Sequence, residues 1–209
     1  MKDKLTAVVC TSTLSLALGT ALALAPPALA APNGATCTLN GQATFSTPLG
    51  STAHDFSYGF TGTLTSCSAG DASSPGLPGA STVTAKISAG SPVTVGGVAY
   101  QEPKATGNGS CASSTTAGAA LVQWSDNAVT VISYTTTGAA AAVGLKGTVV
   151  PSLTATAADG STTTFTTTRY LADNAIGALA FEPPDPTACA GAGVPAAGIQ
   201  GQTVLGSPS

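Results

Sequence analysis

The sequence predicts an all-β protein: an antiparallel β sandwich or partly closed barrel of about nine to ten strands, held by two disulfides. Val, Thr, Ile, Phe and Tyr recur in short runs separated by Gly, Pro, Asn and Asp, the composition of strands and turns. Helical periodicity is nearly absent after the first thirty residues. Four cysteines, Cys37, Cys67, Cys111 and Cys189, follow an export signal, and an even count in an exported chain reads as two disulfides.

The leader accounts for the N-terminus. Lys2 and Lys4 form a short basic start, Thr13 to Ala25 is an apolar run, and Ala28-Leu29-Ala30 has the small-x-small form that signal peptidase cuts. Cleavage is expected after Ala30, because a cut one residue later would put Pro32, which lacks a backbone N–H, directly after the scissile bond. The apolar run is 13 residues long, whereas a membrane span needs about 20. The mature chain, residues 31–209, is read as one secreted, extracellular domain with no membrane span.

The elements follow in order. From Thr36 to Thr47, Leu39, Gly41, Ala43 and Phe45 alternate with Thr38, Asn40, Gln42 and Thr44, so one face is buried and the other wet. In the next run Phe56, Tyr58, Phe60 and Leu64 share a face opposite Ser57, Gly59, Thr61 and Thr63. The turn-like stretch Pro48 to Ala53 lies midway between Cys37 and Cys67, so a hairpin brings these two cysteines together and leaves Cys111 for Cys189. Loop-closure entropy gives the two bridges roughly 3.5 and 4.5 kcal/mol. Setting Cys37 directly opposite Cys67 puts Phe45 against Gly59, on the wrong face for Phe56 and Phe60. Either a bulge near Gly59 or Gly62 corrects the register, or the pairing differs.

After a loop from Ser68 to Ala80, strands are expected at Thr82 to Ser88 and Val93 to Gln101, followed by a polar loop from Glu102 to Ala117 that carries Cys111. Ala119 to Trp124 and Ala128 to Tyr134 flank Asp126-Asn127, two residues that suit a two-residue primed turn. That turn pairs Trp124 with Val129, Val122 with Val131 and Leu121 with Ile132. Both faces are apolar, which places the hairpin centrally with Trp124 in the core. Further strands are expected at Ala141 to Val150, Leu153 to Ala157, Thr162 to Leu171 and Ile176 to Phe181, with turns at Asp159-Gly160 and Asp173-Asn174. A Pro, Ala and Gly-rich tail from Glu182 to Gly198 is pinned by Cys189, and a last strand runs from Ile199 to Leu205. Its IQGQTVL echoes LNGQATF at Leu39 to Phe45, so the first and last strands are expected side by side, closing the sheet.

Charge excludes several partners. After the leader, four cations (Lys86, Lys104, Lys146, Arg169) face eight carboxylates, a net charge of −4. No two of these cations are near neighbours in sequence, so nucleic acid and anionic membrane surfaces are disfavoured. The cysteines contain no CxxC pair and the only histidine lies apart from them, so neither a metal nor another cofactor is expected. A Ser-His-Asp hydrolase would have to use His54, whose neighbour Asp55 points to the opposite side of a strand, and no GxSxG elbow occurs. The acids cannot be paired across a cleft from the sequence, and Asp126, Asp159 and Asp173 have turn duties. Trp124, with the four tyrosines, is the candidate for an aromatic binding surface for a sugar or another flat ligand, against the commoner reading of a single inward Trp as a core residue. Asn108-Gly109-Ser110 matches a glycosylation acceptor.

Cys37xxxGly41, Phe45-Ser46-x-Pro48-Leu49, Gly62xLeu64xxCys67, Gly109-Ser110-Cys111 and Trp124-Ser125-Asp126 together resemble a group of secreted, β-rich actinobacterial proteins of unassigned function. The resemblance spans most of the mature chain through short motifs, and departs at Asn127, where Gly is expected. It implies export, paired cysteines and an antiparallel fold, and carries over no catalytic residues. The expected function is a non-catalytic secreted or cell-envelope interaction module with an extracellular partner of unknown identity. Three other readings stay open: a barrel carrier of a small apolar ligand, a secreted hydrolase, and an inhibitor or immunity-like protein. A lined internal cavity would favour the carrier, two convergent acids the hydrolase, and a protruding loop near Cys111 the inhibitor.

Overall fold

The computed structural model describes residues 34–69 and 83–206. The leader, its cut after Ala30 and most of the loop expected from Ser68 to Ala80 lie outside the described residues. Thirteen strands are present among the described residues: β1 (Ala35–Leu49), β2 (His54–Ala69), β3 (Val83–Ala89), β4 (Pro92–Val95), β5 (Val98–Gln101), β6 (Ala105–Gly109), β7 (Ser113–Trp124), β8 (Val129–Ala139), β9 (Ala142–Val150), β10 (Ser152–Ala157), β11 (Thr162–Thr166), β12 (Asn174–Glu182) and β13 (Val194–Leu205). All pairings are antiparallel. The order β1-β13-β12-β9-β8-β7-β3-β2, with β2 returning to β1, closes an eight-stranded barrel.

One stave of that barrel is shared. β2 pairs with β6 over His54 to Tyr58 and with β3 over Phe60 to Cys67, and β7 pairs with the same two strands in turn. Between the two half-staves the chain leaves the wall as the hairpin β4–β5, which pairs with β10 to form a second sheet, β11-β10-β5-β4. That sheet lays Val93, Leu153 and Ala155 on Leu121 and Val131, which point outward from β7 and β8 and are fully buried there. This outer layer is why the β7–β8 hairpin is apolar on both faces: Val122, Trp124 and Ile132 point into the barrel.

The expected disulfides are the observed ones, Cys37–Cys67 and Cys111–Cys189, with Cα atoms 4.1 and 6.0 Å apart. The register problem is solved at the disulfide itself, not near Gly59 or Gly62. Thr36 faces Ser68 but Thr38 faces Thr65, so the extra residue of a bulge sits at Ser66, whose φ is +51°. From there Leu39 meets Leu64, Ala43 meets Phe60 and Phe45 meets Tyr58, and the apolar set of both strands points inward. The echoed strands lie side by side, with Leu39 opposite Gly201 and Gly41 opposite Ile199.

Several elements differ from expectation. The β7–β8 connection is a three-residue loop, not a two-residue turn: Asn127 N–H donates to Trp124 O, Trp124 N–H donates to Ala128 O, and Asn127 takes φ +68°. A type I turn followed by a left-handed residue has this form, and it shifts the register by one, so Gln123 faces Val129, Val122 faces Thr130 and Leu121 faces Val131. Val93 to Gln101 is two strands joined at Gly96-Gly97, both at positive φ. The stretch Glu102 to Ala117 is not a loop: it holds β6 and the start of β7. The Thr162 strand ends at Thr166, because Thr167 to Arg169 cross to β8 and fill the place that β9 vacates; Val131 N–H donates to Thr167 Oγ1 and Thr168 N–H to Val129 O. Within the tail, Pro186–Ala190 forms a 3-10 turn capped by Asp185, and β13 begins at Val194.

Candidate functional site: the barrel lumen

Inward positions of β1, β2, β12 and β13 supply Leu39, Ala43, Phe60, Leu64, Leu179 and Leu205, and together with Ile87 and Ile132 they line an internal cavity of about 120 Å³. The lumen exists because glycines stand where side chains would fill it or collide with rings. A Cβ on Gly41 would lie 2.5 Å from Phe60 Cζ, and one on Gly107 would lie 2.6 Å from Phe56 Cζ. Phe60 and Phe56 therefore lie flat against backbone. Phe45 and Phe181 stand half-buried near one end, with centroids 6.3 Å apart, and Phe45 meets Phe56 edge-on at 5.6 Å.

The apolar lining is interrupted by one chain of hydroxyls. Tyr58 Oη and Tyr134 Oη are 2.6 Å apart, Tyr58 Oη is 3.0 Å from Thr116 Oγ1, and Thr116 Oγ1 is 2.7 Å from Thr136 Oγ1. All four residues line the cavity. The two tyrosines are buried and the two threonines half-buried, so the chain runs from the interior towards solvent. Burial raises both phenols above the usual tyrosine value, Tyr134 strongly; for Tyr134 the neighbouring Tyr58 and the Glu102 carboxylate act in the same direction, whereas the hydrogen bonds of Tyr58 to Thr116 and Tyr134 oppose its rise. Both phenols are thereby held in the neutral form, in which each can donate and accept a hydrogen bond.

The other candidate residues lie elsewhere. Trp124 is 3% exposed, donates Nε1–H to Thr130 Oγ1 at 3.0 Å, carries the Arg169 guanidinium 5.0 Å from its centroid and meets Tyr170 edge-on. It is a core residue, and the aromatic-surface reading fails because the indole is packed under its neighbours. His54 contacts Thr52 O through Nδ1 at 3.1 Å, and its Nε2 is buried without a hydrogen-bonding partner. Asp55 does not orient it: its carboxylate accepts from Asn108 Nδ2 at 2.7 Å, across the β2–β6 pairing. Glu102 is 1% exposed and accepts from Ser88 Oγ and Ser91 N–H at the exit of β5; burial raises its pKa against those two hydrogen bonds. Cys111–Cys189 ties the 3-10 turn to the β6–β7 turn, where Cys111 N–H donates to Gly50 O. Among the described residues no group of three His, Cys, Asp or Glu side chains gathers to hold a metal, and no helix is long and apolar enough to cross a membrane.

Sequence reasoning missed the hydroxyl chain. Its signal was present, since Tyr58 shares the phase of Phe56 and Phe60, and Thr116 and Thr136 share the inward phase of Trp124 and Tyr134. No protein-family model, no curated protein and no solved structure matches this chain.

Proposed function

We propose that the protein is a non-catalytic, exported β-barrel carrier that holds a small apolar molecule in its lumen. The cavity carries this reading. At about 120 Å³ it is of the order of the apolar protein cavities, about 150 Å³, that stay dry and admit benzene. A closed wall of hydrogen-bonded strands around apolar side chains is also the way small barrels enclose one ligand. The N-terminal leader supports export.

Toluene is the direct probe. Titrated into the mature chain, residues 31–209, and followed by calorimetry, it is expected to bind saturably at one site with a Kd of about 1 mM or tighter. Ala43→Leu, which fills the lumen, should abolish binding while the protein still melts cooperatively. Absence of saturable binding to the parent protein would overturn the carrier reading.

A second reading, an interaction module acting through its surface, is favoured by the outward face opposite the hydroxyl chain. There Asp55, Ser57, Thr106, Asn108, Thr115 and Thr137 form an open polar groove across β2, β6, β7 and β8. Retention of an envelope component by the parent protein, lost in Thr115→Arg, would support it.

A further inference from the structure

Resting on the carrier reading, we infer that the molecule held is neutral and bears one oxygen, docked on the Tyr58–Tyr134 hydroxyl pair with its apolar ring among Ala43, Phe45 and Phe60. Four hydroxyls, those of Tyr134, Tyr58, Thr116 and Thr136, bring four protons, and the three contacts between them consume three. One O–H remains to donate outside the chain, and with Thr136 donating to Thr116 and Thr116 to Tyr58 it belongs to the tyrosine pair. Tyr58 and Tyr134 are 9% and 7% exposed, and both line the cavity. An oxygen in the cavity satisfies that donor, whereas a pure hydrocarbon buried against it leaves it unmet.

Charge decides the rest. No Lys or Arg lines the cavity, and the buried Glu102 carboxylate makes the surroundings of Tyr134 more negative. An anion has nothing to pair with there. A cation would find only hydroxyl oxygens and no carboxylate in the lining. The size of the lumen limits the molecule to a ring of about six carbons with its oxygen. Small phenols fit this description.

Phenol and toluene differ by that oxygen and have nearly the same shape, so their comparison isolates it. In the parent protein both should bind, and Tyr58→Phe combined with Tyr134→Phe should weaken phenol about tenfold while toluene stays within twofold, because only phenol loses hydrogen bonds. The toluene titration also shows that the double variant keeps its lumen. Equal effects of the substitutions on both probes, or none on either, would overturn the oxygen-docking inference and leave the carrier reading intact. Failure of both probes to bind the parent protein would overturn both.

Discussion

Asp126 holds the Arg169 guanidinium with both carboxylate oxygens, at 2.6 and 3.3 Å, and so fixes it above the indole of Trp124. The two residues are 43 positions apart, one in the β7–β8 turn and the other in the segment that crosses back to β8. Thr130 completes the arrangement, taking the indole proton and donating its own to Arg169 O. A turn, a strand and a crossing segment are thereby locked around one buried ring.

Removing that ring should be costly. Trp124→Ala is expected to destabilise the protein by roughly 3 to 5 kcal/mol through lost burial and the cavity left behind. Denaturant unfolding measures the loss. The native indole should emit at short wavelength and resist iodide; red-shifted emission with free quenching would show that Trp124 is exposed.

The Asp126 ion pair should matter little and only above acid pH. Its hydrogen bonds from Arg169 hold the carboxyl below the ordinary 3.8, so the folded state favours the ionised form. A depressed folded pKa gives stability that is present above 3.8 and is lost as pH falls through the folded value. With the Asp126 side chain 36% exposed, water and salt screen the pair, and Asp126→Asn should cost no more than about 1 kcal/mol at pH 7. Urea melts of parent and variant should converge as pH drops below 3.8.

Glu102 should behave with the opposite sign. Burial raises its pKa above the ordinary 4.5, so its folded-state stabilisation is complete below 4.5 and is lost as pH rises through the raised value. Glu102→Gln keeps one acceptor for Ser91 N–H, while its amide can donate to Ser88 Oγ, which reverses. The variant is expected to match the parent at pH 4 and to exceed its stability at pH 8, as read by thermal melts. Glu102→Ala should instead cost about 1 to 3 kcal/mol, because Ser91 N–H is left buried and unpaired.

Gly41→Ala tests the origin of the lumen. The added methyl would meet Phe60 Cζ and Thr61 O, both at 2.5 Å, and the wall cannot recede because β1 is paired on both sides. A loss of about 1 to 3 kcal/mol is expected, typical of overpacking, together with weaker toluene binding. A variant as stable as the parent would show that Phe60 does not lie against Gly41.

Thiol chemistry checks the covalent frame. The mature chain should show no alkylation before reduction and four alkylated thiols after it, at Cys37, Cys67, Cys111 and Cys189. Alkylation of the folded, unreduced protein at unit stoichiometry would count against the pairing.

Much of this fold was legible. Alternation in β1 and β2 names the inward residues, the midpoint of Cys37 and Cys67 names their hairpin, and the double-faced β7–β8 pair marks that hairpin as central, which the outer layer over Leu121 and Val131 explains. What escaped depends on backbone choices that composition leaves open. Asn127 suits either a primed turn or the left-handed end of a three-residue loop, and one residue of difference reassigns every cross-strand partner. Ser66 carries no sign that it will bulge. The lumen itself was hidden, because Gly41 reads as one more inward strand position and Gly107 as part of a polar loop until the rings they admit are known.

The place of β13 between β1 and β12 bears on how the molecule comes into being. Ala35 pairs with Leu205, so the wall is completed by residues at opposite ends of the described chain. Until Val194–Leu205 arrives, β1 and β12 each expose an unpaired edge, open to association with other strands. Closure must wait for Val194–Leu205, and such long-range pairing is slow to nucleate. Truncation within the last strand should therefore yield an aggregating polypeptide with no enclosed interior, not a slightly smaller barrel.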